Sequence, residues 1–275
     1  MPQDLRADIK PAAVERFSLA ALNMMDISRS MITQALQQGF RVEKKADASF
    51  LTSVDLDVER QLRRMITEQF PDHGILGEEL PPHLPAAAYQ WIMDPIDGTE
   101  DFAQGIPTFG TILALYYHGH PLVGVLDHPR LDVRVWAAYG MGTHKNDQCI
   151  QLSELPAAAA DGSERVMLGA RANFMRYRDD GHCFDAVARA HPNVRIYRTC
   201  FAHACVATGS ADAMVDYHVR LWDIAATRLL VEEAGGQYRA LQEFAAPDGG
   251  TVYSAVFGKP ALVERLATLL RVTPA

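Results

Sequence analysis

Three apolar runs in the middle of the chain, at 108–117, 122–127 and 133–139, are separated only by His118-Gly119-His120-Pro121 and by residues 128–132. Connections this short turn a strand back beside itself but cannot carry a crossover to a parallel neighbour. The runs therefore predict a meander of antiparallel strands. A sheet of this kind needs an apolar cover on at least one face. Upstream, Val14, Phe17, Ala21, Met24, Met25, Ile32, Ala35 and Leu36 recur at spacings of three and four, which predicts an amphipathic helix over 11–38 capped by Gly39. A second helix is expected over 55–70, with Val58, Leu62, Met65, Ile66 and Phe70 inward, stopped by Pro71, Asp72 and Gly74.

Beyond a linker expected at 153–163, the pattern changes to alternating elements. Strands are expected at 166–170, 194–197, 213–215 and 252–257, and helices near Asp185, near Ala204, over 223–234 and from Pro260. The fold class expected is α/β with an α+β N-terminal half, divided into an N-terminal α+β metal-binding subdomain at 1–145 and a C-terminal α/β subdomain at 146–275 that completes the active site.

A formal net charge of −8 argues against an extended basic surface, so neither nucleic acid nor a membrane is expected as a partner. Four cysteines (Cys149, Cys183, Cys200, Cys205) form no C-x-x-C pair, as expected of reduced thiols in a cytoplasmic protein. The first ten residues carry acids and no apolar run, so no signal peptide is expected there.

The chemistry concentrates in 91–110, WIMDPIDGTEDFAQGIPTFG. An apolar strand delivers Asp94; Pro95 fixes φ and removes a donor; Asp97-Gly98-Thr99 then turns tightly. Such a turn gathers two carboxylates, the Ile96 carbonyl and the Thr99 hydroxyl. Two close carboxylates without a basic neighbour repel, so one stays protonated unless a cation lies between them. Oxygen donors without Cys or His suit a hard ion, Mg²⁺ ahead of Zn²⁺. An ordinary Asp/Gly turn with capping aspartates explains the motif equally well when it is read alone. Three further acidic sites stand at expected element ends: Asp55 (with Ser53 the rival cap), Glu78-Glu79 after Gly77, and Asp223.

Taken in order, these motifs resemble the inositol monophosphatase family of lithium-sensitive, Mg²⁺-dependent phosphatases. The resemblance rests on Asp94 to Thr99 followed by Phe102 and Gly105-Ile106-Pro107, on Gly77-Glu78-Glu79, on Asp55, on the V-A-x-G-x-x-D run from Val206 to Asp212, and on Trp222 to Ala226. It implies a layered α-β-α-β-α sandwich of the sugar-phosphatase type and hydrolysis of a small phosphate ester by direct attack of water. It implies that Glu78, Asp94, Asp97, Asp223 and the Ile96 carbonyl ligate two or three Mg²⁺, with Asp55 and Thr99 orienting and deprotonating the attacking water. Glu79 would support the ligands from behind, and the Gly98 and Thr99 amides would hold phosphate oxygens. Asp216 would contact the substrate's hydroxyl or amine. Lys44 or Lys45 either faces the phosphate or is solvated. A homodimer and inhibition by millimolar Li⁺ are further implications.

Two departures bear on substrate. The run 198–204, RTCFAHA, is nearer the histidinol-phosphatase branch than the inositol branch, with Thr199 where that branch has an acid. Glu100-Asp101 follow Thr99, favouring a cationic substrate or else facing solvent; His203 and His218 either line the pocket or are structural. Inositol-phosphate-like and histidinol-phosphate-like substrates both remain in play. A 3′-phosphonucleotide or fructose-1,6-bisphosphate phosphatase ranks lower, because G-T-K-E-F is absent. A non-catalytic regulatory protein on the same fold would need no intact acid set.

Overall fold

The computed structural model describes residues 5–44, 50–154 and 164–272. After a 3₁₀ turn at Leu5–Asp8, helix α1 (Pro11–Gln38) buries Val14, Phe17, Ala21, Met24, Met25 and Ile32 along one stripe. It ends at Gly39, whose N–H bonds the Ala35 carbonyl. A small ribbon, β1 (Val42–Lys44) with β2 (Phe50–Thr52), leads into α2 (Ser53–Gln69). The cap of α2 is Thr52, with Asp55 reciprocating as the third helical residue; neither Ser53 nor Asp55 is the cap itself.

Next come β3 (Gly74–Gly77), β4 (Tyr89–Asp97), the short helix α3 (Thr99–Gln104), β5 (Gly110–Tyr117), β6 (His120–His128), β7 (Val133–Ala138), β8 (Thr143–Lys145) and β9 (Gln148–Ile150). These strands form one sheet in sequence order, antiparallel except for the β3/β4 pair, so the expected meander is its centre. The expected subdomain boundary at 145/146 falls in the β8–β9 turn, and the sheet itself closes at Ile150. Most of the expected linker (155–163), with its four alanines, and Lys45 lie outside the described residues.

The second half contains β10 (Val166–Leu168), α4 (Arg171–Phe174), α5 (Gly181–Ala190), β11 (Arg195–Ile196), α6 (Cys200–Ala207), β12 (Ala213–Val219), α7 (Leu221–Ile224), α8 (Thr227–Glu233), β13 (Gln237–Ala245), β14 (Thr251–Gly258) and α9 (Pro260–Val272). Its sheet runs β11-β10-β12-β14-β13, parallel among the first three and antiparallel beyond. Two expectations are corrected. The single helix over 223–234 is divided into α7 and α8 at Ala225-Ala226, where the Ala225 carbonyl accepts the Tyr116 hydroxyl (2.9 Å). Strand β13 was not foreseen: it is an edge strand with most positions half-exposed, and its polar-rich sequence carries little periodic signal.

Side-chain alternation along the strands builds the layers. Leu113, Leu115, Trp91 and Met93 face α1 and α2, packing on Met24 and Leu62. On the other face Ile112, Leu126, Val135 and Ala137 meet α6 and α8, which in turn cover Met214, Ala255 and Phe257 of the second sheet. The outer face of that sheet, with Leu168, Val215 and Val256, is closed by α5 and α9 through Val187, Leu262 and Leu266. The result is an α-β-α-β-α sandwich. Full burial of each large apolar side chain contributes roughly 1.5–3 kcal/mol, so the four apolar interfaces hold the layers together.

Candidate active site

The site begins with an interruption of the β4/β5 ladder. Pairing is regular down to Asp94 opposite Ile112 and resumes only at Asp97 opposite Gly110. Pro95 has no N–H to give, and its carbonyl accepts the Thr111 hydroxyl (2.8 Å). Gly98 then adopts φ 83°, and a Cβ there would lie 2.6 Å from Thr199 Cγ2, so a side chain is excluded on both counts. The Thr99 hydroxyl donates to the Ile96 carbonyl (3.0 Å) and lies 3.3 Å from Asp55 Oδ1, while Asp55 Oδ2 accepts from Thr52 N (2.8 Å) and Thr52 Oγ1 (2.5 Å).

Glu78 follows β3 through Gly77, where a Cβ would stand 2.2 Å from Glu59 Oε1. That buried Glu59 accepts the N–H groups of Glu79 (2.9 Å) and Leu80 (3.1 Å) and is held by Arg63. The loop is thereby turned so that Glu78 lines the cavity and Glu79 does not. The second half contributes Asp223 from α7, whose Oδ2 accepts the Arg220 N–H (2.6 Å), and the first N–H of α6, which Cys200 donates to Asp97 Oδ2. Ligand atoms of Asp94, Asp97 and Asp223 lie within 4.8 Å of one another.

A cavity of about 440 Å³ joins these groups to Glu78, Ile96, Gly98, Thr99 and Asp216. Asp216 accepts from His203 Nε2 (3.1 Å), whose Nδ1 meets Thr227 Oγ1 (2.8 Å); His203 is thus both structural and part of the wall. Asp101 accepts the Thr108 hydroxyl (2.5 Å) and Glu100 meets Arg198 Nη1 (3.4 Å), so both extra acids have partners at the rim. Lys44 is exposed, 5.5 Å from the Phe50 ring centroid; Phe50 lines the cavity and Lys44 does not.

Asn173, Arg176 and Arg198 also line the cavity and were not foreseen. They lie on connections that leave β10 and β11 towards opposite faces of the second sheet, α5 outside and α6 inside. A crevice at the carboxyl ends of strands is expected where connections diverge in this way. Strand order carries that information, and no local sequence signal does.

Electrostatics mark the acid cluster. Burial, followed by repulsion from Glu78, Asp97 and Asp223, pushes the Asp94 carboxyl well up, and its Oδ1 is buried with no hydrogen-bond partner. Burial raises Asp97 to about 6 despite the Cys200 N–H, and raises Asp223 with Asp97 as the next cause. Burial also lifts Asp55 to about 6, against the Thr52 hydrogen bonds. Buried acids of this kind call for a cation. An all-oxygen donor set with one orphaned acceptor fits a hard divalent ion, held by Asp94, Asp97, Asp223 and Glu78 with the Ile96 carbonyl nearby.

The model of the inositol monophosphatase family matches residues 14–272. A histidinol-phosphatase of Mycobacterium tuberculosis is 34% identical over 84% of this chain and 88% of its own, and one of Chlorobaculum parvum is 32% identical over 78% and 82%. Among solved structures, an inositol monophosphatase from Anabaena superposes with a TM-score of 0.79 over 95% of this chain and 98% of its own, at 24% identity. Fold, motif order and sequence agree: the chain belongs to the inositol monophosphatase family and is a phosphomonoesterase.

Proposed function

We propose that this enzyme is a Mg²⁺-dependent phosphatase acting on the phosphate ester of a small amino alcohol or polyol, histidinol phosphate first and inositol 1-phosphate second. The observation that carries the metal dependence is the buried, unpartnered Asp94 Oδ1 among three other acids. Bound there, Mg²⁺ supplies charge neutralisation for the phosphoryl oxygens and lowers the pKa of a coordinated water.

The chain's own residues do the rest. Asp55 is the proton acceptor: its carboxyl at about 6 lies closer to neutrality than an ordinary aspartate, which suits a general base. The Thr99 hydroxyl, between Ile96 O and Asp55 Oδ1, orients that transfer. The Gly98 and Thr99 amides at the start of α3 face the phosphate, and Asp216, fixed by His203, takes a hydroxyl or ammonium of the alcohol portion. No side-chain nucleophile is needed. We further propose that the enzyme works as a homodimer and is inhibited by Li⁺.

Histidinol phosphate ranks first because both relatives described above are named histidinol-phosphatases, and because Asp216 offers a carboxylate to an ammonium. The test is phosphate release with and without Mg²⁺ from histidinol phosphate, inositol 1-phosphate, fructose 1,6-bisphosphate and a 3′-phosphonucleotide. Highest kcat/KM on histidinol phosphate, abolished by chelator, is expected. Equal rates with and without Mg²⁺ would remove the metal mechanism.

A further inference from the structure

One residue of the cavity wall carries two features that packing alone does not favour. His218 has φ 56°, a left-handed conformation suited to glycine, at an irregularity of the β12/β14 pairing between Asp216 and Val219. Its side chain is fully buried, yet Nδ1 has no hydrogen-bond partner. A glycine at this position would avoid both costs.

The imidazole reaches across to another segment. Its Nε2–H donates to Asp180 Oδ2 (3.0 Å), and its ring meets Tyr177 (centroids 6.1 Å) and Phe244 (5.4 Å) edge-on. Arg220 lies over the Tyr177 ring (5.1 Å) and Arg178 over Phe244 (3.6 Å). The stretch 175–180, between α4 and α5, is therefore fastened to the end of β12 through His218, while the neighbouring Tyr217 holds α4 separately by stacking on Phe174 (centroids 4.4 Å). That stretch and α4 carry Arg176 and Asn173, which line the cavity beside Asp216. Asp180, His182 and Cys183 also gather donor atoms within 4.8 Å. Burial pushes the Cys183 thiol up, away from the thiolate a metal takes, and Asp180 is already engaged by His218.

We propose that His218 is a positioning residue for substrate specificity. Through Asp180 and Tyr177 it fixes the wall bearing Asn173 and Arg176, donors that face the alcohol portion of the substrate while Asp216 offers an acceptor. The inference rests on the phosphomonoesterase reading and extends it to the recognition of an alcohol with both hydrogen-bond donors and acceptors. The phosphate-handling groups stand elsewhere, on β4 and α3.

The test compares His218→Gly, which suits the backbone and deletes the ring, with His218→Gln, whose amide Nε2 reaches as far from the backbone as the imidazole Nε2 and can donate to Asp180. Kinetics are read on the best polyol or amino-alcohol ester and on p-nitrophenyl phosphate, whose leaving group offers little to such a wall. For His218→Gly, KM for the polar ester is expected to rise about tenfold with kcat within about twofold, and KM for the aryl ester to move less than about twofold. His218→Gln should restore most of the lost affinity. Asp180→Ala removes the same bond from the other side, so it serves if the glycine variant does not fold, and combining the two should add little.

Unaltered KM values for the polar ester, or equal losses on both esters without rescue by glutamine, would overturn the inference and leave the phosphatase reading intact. A wild-type enzyme that releases phosphate from none of the compounds would overturn both.

Discussion

Asp127 and Asp94 are both buried acids of the first sheet, two strands apart, and they live under opposite conditions. Asp127 accepts from Arg29 Nε (3.0 Å) and Nη2 (2.9 Å) and from Arg134 Nε (2.6 Å), and is closed off from solvent. Asp94 is almost as buried, but what surrounds it is other carboxylates, and one of its oxygens has no partner. The sheet can evidently bring arginines to a buried acid. A buried acid left without one marks a place where folding stability has been traded for ligand binding, because it must either hold a proton or take up a cation.

Breaking the starved acid should have the largest effect on function and the smallest cost in stability. Asp94→Asn is expected to slow Mg²⁺-dependent phosphate release about a thousandfold, several kcal/mol of lost transition-state stabilisation. In chelator its melting temperature should hold or rise, since a repelled carboxyl has been removed. A fall as large as that of an Asp127 variant would erase the contrast. Breaking the saturated acid should do the reverse. Asp127→Ala leaves Arg29 and Arg134 facing a void, and is expected to cost about 3 kcal/mol in urea unfolding with turnover per folded molecule retained.

A third group, the half-buried His73, sharpens the scale between them. His73 stacks between Tyr89 and Phe70, and its Nδ1 accepts the Trp91 indole N–H (3.1 Å). Burial, then the nearby Arg16, lowers it from 6.5 to about 4. The folded form resists a proton that the unfolded chain accepts. Its contribution is therefore complete above pH 6.5 and is lost as pH falls towards 4. Urea midpoints followed across that window should decline less steeply in His73→Phe than in the wild type. This is the smallest of the three effects, and identical slopes would show that His73 is not held neutral.

One side of this contrast could be read before any fold was known, since Asp127 and its arginines gave no local signal. The helical stripe of α1, the meander and the acids at 78, 94, 97 and 223 are local patterns, and the structure brings those four acids to one cavity. Asp55 was harder, because one carboxyl both completes the cap of α2 with Thr52 and faces Thr99. Glu79 and Lys44, expected near the reaction, stand outside the cavity, since Glu59 turns the first away and the second extends over Phe50. Asn173, Arg176 and Arg198 became visible only through strand order, and β13 only through its pairing partner. What pairs across the fold leaves no trace in neighbouring residues.

The hydrogen bond from the Cys200 amide to Asp97 has a consequence for how the protein is made. Asp97 leaves the ribosome about a hundred residues ahead of its partner, and domains emerging first tend to fold first. A nascent first sheet thus displays its acids with neither the Cys200 amide nor Asp223 in place. On the mechanism proposed above, the half-made chain is an incomplete hydrolase, and the capacity to cleave phosphate esters arrives when the second half docks. Synthesis and activation are in this sense one event, and a molecule that hydrolyses its substrate has thereby reported that both halves are folded.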